Sequence, residues 1–453
     1  MRGQVGRMRM AHAAGLGRRA LLPLAAGTLA GCSLFDTMFS SNKTALPGKR
    51  EDVGRVEHGL EPPKGRRPEV VLPQPVANAA WPQPGGNPAH NMGNLQCGAV
   101  LRHGFSVSLG EGGGYRRKIT AIPVVAGGRI YTMDSAGLIR AFDARSGGAL
   151  WQFDTKGKNE RGSNVGGGLA VAEGRLHATT GRGDVIALDA VKGGVVWRRT
   201  LDLPVRSSPM IADGRVFVVT IGQRLVALAA DDGRELWSHQ ARAVATSVLA
   251  APAPAYAAGF VFAGFGSGDV AALRAETGDV VWSDSIPALG SRDSDIAIAA
   301  ITAMPVTGNG QVFFFGQGGL LIADDLHTGR RLWEKEAGGG QTPWIAGEWL
   351  FLVTLDQRAA AVNIRTAEVA WVRQLPLYTN VKKESGAIAW FGPALLGDRL
   401  VFAGTNGRAL SVSPYTGELL GDEALTAPAA LPPIVAGGTL YLVTDDGALT
   451  ALR

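Results

Sequence analysis

A tryptophan closes one short unit after another along this chain, and the spacing leaves few folds open. Trp151, Trp197, Trp237, Trp282, Trp333 and Trp371 recur about 38–51 residues apart. A period of this length marks radial or stacked repeats. Residues 121–154, AIPVVAGGRIYTMDSAGLIRAFDARSGGALWQFD, display one unit. Four runs rich in β-branched and aromatic residues stand at Ile122–Val125, Arg129–Met133, Leu138–Asp143 and Ala149–Asp154. Gly127-Gly128, Ser135–Gly137 and Ser146–Gly148 separate them, and glycine admits the positive φ of tight turns. Short runs broken in this way are strands. Four of them make one antiparallel blade of a propeller.

The unit recurs with drift. In the sixth repeat Gln357 and Ala367 replace the internal glycines, and in the seventh Leu420 takes the Trp slot. The eighth, residues 433–453, supplies three strands only. Val100–Leu109 can supply the fourth, with Phe105 in the Trp slot, and pairing the two ends removes open sheet edges. The expectation is an all-β fold: an eight-bladed β-propeller of four-stranded antiparallel blades, closed by the N-terminal strand. The repeated Trp is expected to wedge each blade against the next and bury apolar area there. Trp81, Trp344, Trp349 and Trp390 lie outside that slot and are expected to be freer for a surface.

The ends read differently. Arg2, Arg7, Arg9, Arg18 and Arg19 precede a short apolar run, Ala20–Leu29, in the manner of a secretory signal too short to span a membrane. It closes on Leu29-Ala30-Gly31-Cys32, which resembles the bacterial lipoprotein signal in which Cys32 is acylated and becomes the first residue. Ser33, with no Asp there, implies by the same resemblance sorting to the outer membrane; Arg18-Arg19 leaves a twin-arginine route open. Residues 32–80 are rich in Lys, Arg, Glu and Pro and are expected to form a lipid-anchored flexible linker spanning roughly 40 Å. Residues 81–453 then form the propeller. Net charge is +6, but residues 1–31 hold five Arg and no acid, which leaves +1 for the remainder. The high pI therefore gives no case for nucleic acid, and no basic stripe interleaved with aromatics reopens it. With Cys32 acylated, Cys97 has no partner and no disulfide is expected.

Catalytic patterns are thin. No Gly-x-Ser-x-Gly elbow, P-loop or His-Glu-x-x-His occurs, and the six His beyond the signal are scattered. No metal or cofactor site is expected. Gly264-Phe-Gly266-Ser-Gly268 falls between two strands and reads as a hairpin turn. Asp231-Asp232, Asp324-Asp325 and Asp445-Asp446 fit turn chemistry, in which Asp bonds nearby backbone N–H groups. The long connection Gly290–Ile301 between blades 4 and 5 stands apart, with Arg292, Asp293 and Asp295 close together on a propeller face.

The repeats, with Ala-Leu-Asp-Ala at 187–190 and Thr-Gly-x-x-x-Trp at 277–282, resemble the pyrroloquinoline-quinone-type propeller repeat over residues ~80–453. Quinoprotein dehydrogenases share that repeat with BamB, the lipoprotein subunit of the outer-membrane β-barrel assembly machinery. The Cys32 box, the single propeller, the absence of adjacent cysteines and the entry segment Trp81-Pro-Gln-Pro-Gly-Gly-Asn favour the BamB family. That resemblance implies a scaffold rather than an enzyme, held on the periplasmic face of the outer membrane. Its implied partners are the POTRA domains of BamA, other Bam subunits and unfolded outer-membrane proteins. The family's contact uses two face loops. One implies an acidic segment at Ser294-Asp295-Ile296, with Arg292 and Asp293 beside it; the other is Val244–Ala250, with Thr246 and Ser247. The family places an Arg in the second loop; here there is none, and Arg242 is out of register. The alternatives are a quinone-dependent dehydrogenase, which needs cofactor contacts and calcium in the central channel, and a propeller serving another envelope complex.

Overall fold

Eight four-stranded antiparallel sheets follow one another around an axis in the computed structural model, which describes residues 59–114, 117–157, 164–244, 251–288 and 299–453. Blade 1 comprises Val124–Ala126, Arg129–Met133, Leu138–Asp143 and Ala149–Asp154 in spatial order. Blades 2 to 7 repeat that order between residues 167 and 424. In blade 8 the strand His103–Ser108 pairs with Ala448–Leu452, so the first and last strands of the propeller share one sheet. Phe105 stands opposite Ala451, as Trp151 stands opposite Ala141 in blade 1. The eight-bladed fold and its closure are as the sequence predicts. So is the turn at Gly264–Gly268, which joins Phe260–Gly264 to Asp269–Arg274.

The seams between blades explain the Trp period. Each slot indole lies over a turn in the next blade and donates its N–H to a backbone carbonyl there. Trp151 donates to Ala190 at 3.2 Å, Trp237 to Ala275 at 3.0 Å and Trp371 to Pro414 at 2.8 Å. The turn residue beneath the ring is a glycine at positive φ, such as Gly278 (φ 79°), and a Cβ there would lie 2.6 Å from Trp237. Ala367, beside Trp333, adopts the same left-handed backbone at φ 60°. At the closing seam Phe105 has no N–H to give. The Arg453 guanidinium sits 5.4 Å from the Phe105 ring centre and donates to Ala144 at 3.0 Å, the position equivalent to Ala190. Ring and donor are thus supplied by two residues instead of one indole. The Trp slot of blade 7 needs correction: it is held by Gly421, which stands opposite Ser411 as Trp151 stands opposite Ala141, while Leu420 takes the outward position of Leu150 and is likewise exposed.

Two further expectations need correction. Trp81, Trp344, Trp349 and Trp390 are not surface residues; all four are buried. Trp81 stacks on Trp344 at 6.0 Å between ring centres, and the N–H groups of Trp344 and Trp390 are taken up by the carbonyls of Gly93 and Pro376. The described end of the expected linker is also not free. Leu60 and Val70 are buried in clusters with blade residues, and Asn94 donates to the Pro73 carbonyl. A few apolar residues suffice here because the blades already provide the core they join.

From residue 78 this leading segment becomes a strap around the axis. Asn78 bonds blade 8 through the Val435 and Gly437 backbone. At one equivalent position in blades 1 to 5 the innermost strand donates its N–H to the strap. Val125 donates to the Trp81 carbonyl at 2.8 Å, Val171 to Pro82 at 2.6 Å and Ile211 to the Gln83 side chain at 2.9 Å. Tyr256 donates to Pro88 at 2.7 Å and Thr307 to Ala89 at 2.9 Å. Trp344 of blade 6 reaches Gly93, and Gly397 of blade 7 donates to Leu95 at 2.9 Å. Residues 78–95 therefore visit all eight blades in order. His90 of the strap donates from Nδ1 to the Pro305 carbonyl at 2.6 Å, and burial holds its pKa down to about 4.

Charge is buried at one seam. Arg331 donates to Asp324 at 2.9 Å, to Glu334 at 2.7 Å and to Asp284 of the preceding blade. Asp324 is fully buried, and desolvation outweighs the guanidinium, raising its pKa to about 6. His177, packed on Trp197, is lowered by burial to about 4.

Two predictions follow from these contacts. Gly437→Ala meets no atom within 4 Å and bears only the strain of φ 59°, about 1 kcal/mol. Gly278→Ala adds a clash with Trp237 and should cost about 2–4 kcal/mol in urea unfolding; equal costs would remove the turn from the seam. The second concerns acid. His90 and His177, held below the unfolded value, give stability that is lost as pH falls from 6.5 towards 4. Asp324, held above its unfolded value, works the other way, and its contribution falls as pH rises from 3.8 to 6. Asp324→Asn should therefore steepen acid destabilisation near pH 5 by about one proton, or ~1.4 kcal/mol per pH unit. An unchanged slope would mean that the buried carboxyl stays ionised.

Candidate functional site

Successive antiparallel strands sort the connections onto two faces. Turns leaving the innermost strand lie on one face, which is also where the strap grips Gly397 and Gly437. Connections entering the innermost strand lie on the other, together with the turns between second and third strands. The two loops expected to carry partner contacts are entry connections, into blades 4 and 5. Thr246, Ser247, Arg292, Asp293 and Asp295 lie outside the described residues, as does Cys32. Their stems are described.

Both stems meet at one turn, Phe265–Gly268 of blade 4. On one side Arg242 donates to the Ser267 carbonyl at 3.1 Å and pairs with Asp269 at 2.8 Å. On the other, Ile286 donates to the Gly268 carbonyl at 2.8 Å and Ile301 to Phe265 at 3.1 Å. Gly268 has no room for a side chain, since a Cβ would lie 2.5 Å from the Ile286 carbonyl oxygen. The turn thus holds the described stems of the two loops side by side. Arg242 remains 64% exposed despite its partner, so a cation does stand on this face, one strand end away from the loop in which the sequence lacks one.

Between the entry connections lies a feature that sequence reasoning missed. A cavity of about 230 Å³ sits on the axis, lined by residues that lead into the innermost strands of all eight blades and floored by strap residues Trp81, Pro84, Gly85 and His90. The far ends of both candidate loops, Ala251–Ala253 and Thr302–Met304, contribute to its wall. A signal was present: a proline stands immediately before the innermost strand in six blades, at 123, 209, 254, 305, 343 and 433, and Pro393 lies within the innermost strand of blade 7. Among the described residues, the titratable side chains of the lining are His90 and Arg206, and no three His, Cys, Asp or Glu come together as a metal group. Cys97 lies on the strap side, half-buried, donates to the Gly438 carbonyl at 3.2 Å and has its thiol pKa raised by burial.

Comparison with known proteins follows this geometry. The family model described as outer membrane protein assembly factor BamB matches residues 135–373 and 378–453. BamB of Yersinia pestis is 26% identical over 354 residues, covering 77% of this chain and 87% of that protein. BamB of Vibrio cholerae is 35% identical over 252 residues, covering 55% and 64%. Among solved structures, BamB from Moraxella catarrhalis superposes with a TM-score of 0.67 at 19% identity, over 78% of this chain and 100% of that one. A quinohemoprotein alcohol dehydrogenase from Comamonas testosteroni gives 0.63 at 15% identity, over 83% and 80%, a likeness of fold alone. The family match spans most of the propeller, and the chain belongs to the family of the outer membrane protein assembly factor BamB.

Proposed function

We propose that this protein is a non-enzymatic scaffold of the outer-membrane β-barrel assembly machinery, anchored by a lipid on Cys32 and working on the periplasmic face. It docks the POTRA domains of BamA and holds them where unfolded outer-membrane proteins arrive. The contact runs through the loop with Thr246 and Ser247 and the loop with Arg292, Asp293 and Asp295. Family membership supports the role. The observation that carries the site is the shared origin of both loops at the Phe265–Gly268 turn, which lets one partner surface meet both. Charges at such a rim act on specificity and encounter rate more than on raw affinity.

Two experiments test this reading. Replacing Asp293 and Asp295 together with Arg should lower BamA recovered with the protein from solubilised envelopes at least fivefold, with the melting temperature unchanged. Full recovery would take these residues out of the interface. Cys32→Ser should abolish incorporation of labelled palmitate into the protein, since Cys32 is the acyl attachment point; unchanged labelling would refute the lipid anchor.

A further inference from the structure

The leading segment also fixes where the chain leaves the propeller. Gly59 lies against the entry-face end of the outer strand of blade 5, Arg331–Glu336; a Cβ there would sit 2.9 Å from the Glu336 nitrogen. Leu60, next to it, is fully buried, in one apolar cluster with Ala337 and Ala303. Ala337 directly follows that outer strand, and Ala303 belongs to the stem of the connection that enters blade 5. Pro73 lies at the opposite face, where a Cβ on Gly347, in the exit turn of blade 6, would be 3.0 Å from the proline Cδ. Between Leu60 and Val70 no residue is buried. The segment therefore crosses the rim from the entry face to the strap face, and one apolar side chain seats its entry end.

The point of departure matters because two lengths are comparable. A coil the length of residues 33–58, which separate Cys32 from Gly59, spans about 28 Å. A six-residue strand such as Arg331–Glu336 separates the two faces by about 20 Å. A tether of that span keeps its point of attachment near the bilayer, and it raises the effective concentration of whatever lies beside that point. Leaving beside Glu336, the tether draws the entry face towards the bilayer. Leaving from Val70 and Pro73, it would draw the strap face instead. Both loops expected to carry partner contacts belong to the entry face, and Ala303 in the stem of one shares a cluster with Leu60.

We infer that Leu60 is an orientation latch: seated in the seam of blades 5 and 6, it makes the lipid tether leave at the entry end of blade 5 and turns the entry face, with its partner loops, towards the bilayer. This rests on the Cys32 anchor proposed above and not on the partner. Full-length protein that fails to sediment with lipid vesicles would remove the anchor. Protein that sediments but shows no preferred face would remove the latch alone.

Full-length lipoprotein in vesicles of phosphatidylethanolamine and phosphatidylglycerol would carry one fluorophore on an introduced cysteine, with Cys97→Ser removing the native thiol. Asp356→Cys marks the entry face of blade 6 and Glu368→Cys its strap face; both positions are exposed turn residues. Energy transfer to an acceptor in the headgroup layer should be at least twofold stronger from position 356. Leu60→Asp puts a carboxylate into the apolar seam, and Gly59→Val clashes with Glu336; each should abolish or reverse that difference. Hydrogen exchange should quicken at residues 59–64 and stay unchanged in the blade strands, which separates release of the latch from unfolding. A Gly-Ser insertion after Glu51, equal in length to residues 59–69, lengthens the tether as release does and should leave the difference in place. The inference falls if the wild type transfers equally from both positions, if neither variant frees residues 59–64, if the difference survives in a variant that has freed them, or if the insertion abolishes it as fully as release does.

Discussion

A ring of sheets has an inner rim, and that rim is the constraint on which this molecule depends. Each blade presents a three- to seven-residue innermost strand to the axis, with backbone groups unpaired on that side. Buried N–H and C=O groups need partners, and bare strand edges invite wrong pairings. The chain answers twice. Proline immediately before six of the eight innermost strands, and Pro393 within a seventh, removes one donor from the rim. The strap then accepts the N–H at one equivalent position in five successive blades and reaches the other three by different groups. One irregular segment, with no strand pairing regular enough to advertise itself, thus satisfies a regular array.

The outer seams follow a second rule. An indole combines a broad apolar face with a single donor, and each slot Trp uses both on the neighbouring blade. That double use accounts for the conservation of one residue type across six internal repeats, where any large apolar side chain would fill space. The closing seam supports this account, because where Phe105 replaces the indole the lost donor reappears on Arg453. The seam between blades 7 and 8 is the exception: Gly421 holds the slot and supplies neither ring nor donor.

These rules decide what could be read in the sequence. Blade number, strand order and closure were legible because turn glycines and Trp151, Trp197, Trp237, Trp282, Trp333 and Trp371 repeat with a period, and repetition separates signal from local noise. Even positions without glycine obey the pattern: Gln357 and Ala367 take φ near 60° because the repeat's geometry demands it. The strap was illegible because its partners lie up to 359 residues away (437 − 78) and its own sequence has no period. Trp81, Trp344 and Trp390 were misassigned for a related reason. They fall outside the repeat, yet they are buried by the strap or by irregular entry segments such as that at Pro376. The axial cavity could have been anticipated from the prolines at 123, 209, 254, 305, 343, 393 and 433, whose common feature appears only when the repeats are aligned.

The two faces differ in the freedom they leave. Exit turns and outer hairpins are nearly uniform around the ring, since the seam indoles and the strap press on them at fixed positions. Entry connections vary widely, from residues 337–343 between blades 5 and 6 to residues 286–305 between blades 4 and 5. Between blades 6 and 7 the connection even holds a hairpin of its own, Tyr378–Asn380 with Ser385–Ala387. Length can vary only where packing does not forbid it, and binding residues gather on loops that a rigid scaffold positions. The strap therefore contributes to recognition at a distance. By satisfying the inner rim from one side, it relieves the entry face of any structural duty at the axis. That leaves the connections there, and the chamber they enclose, open to be shaped by a partner.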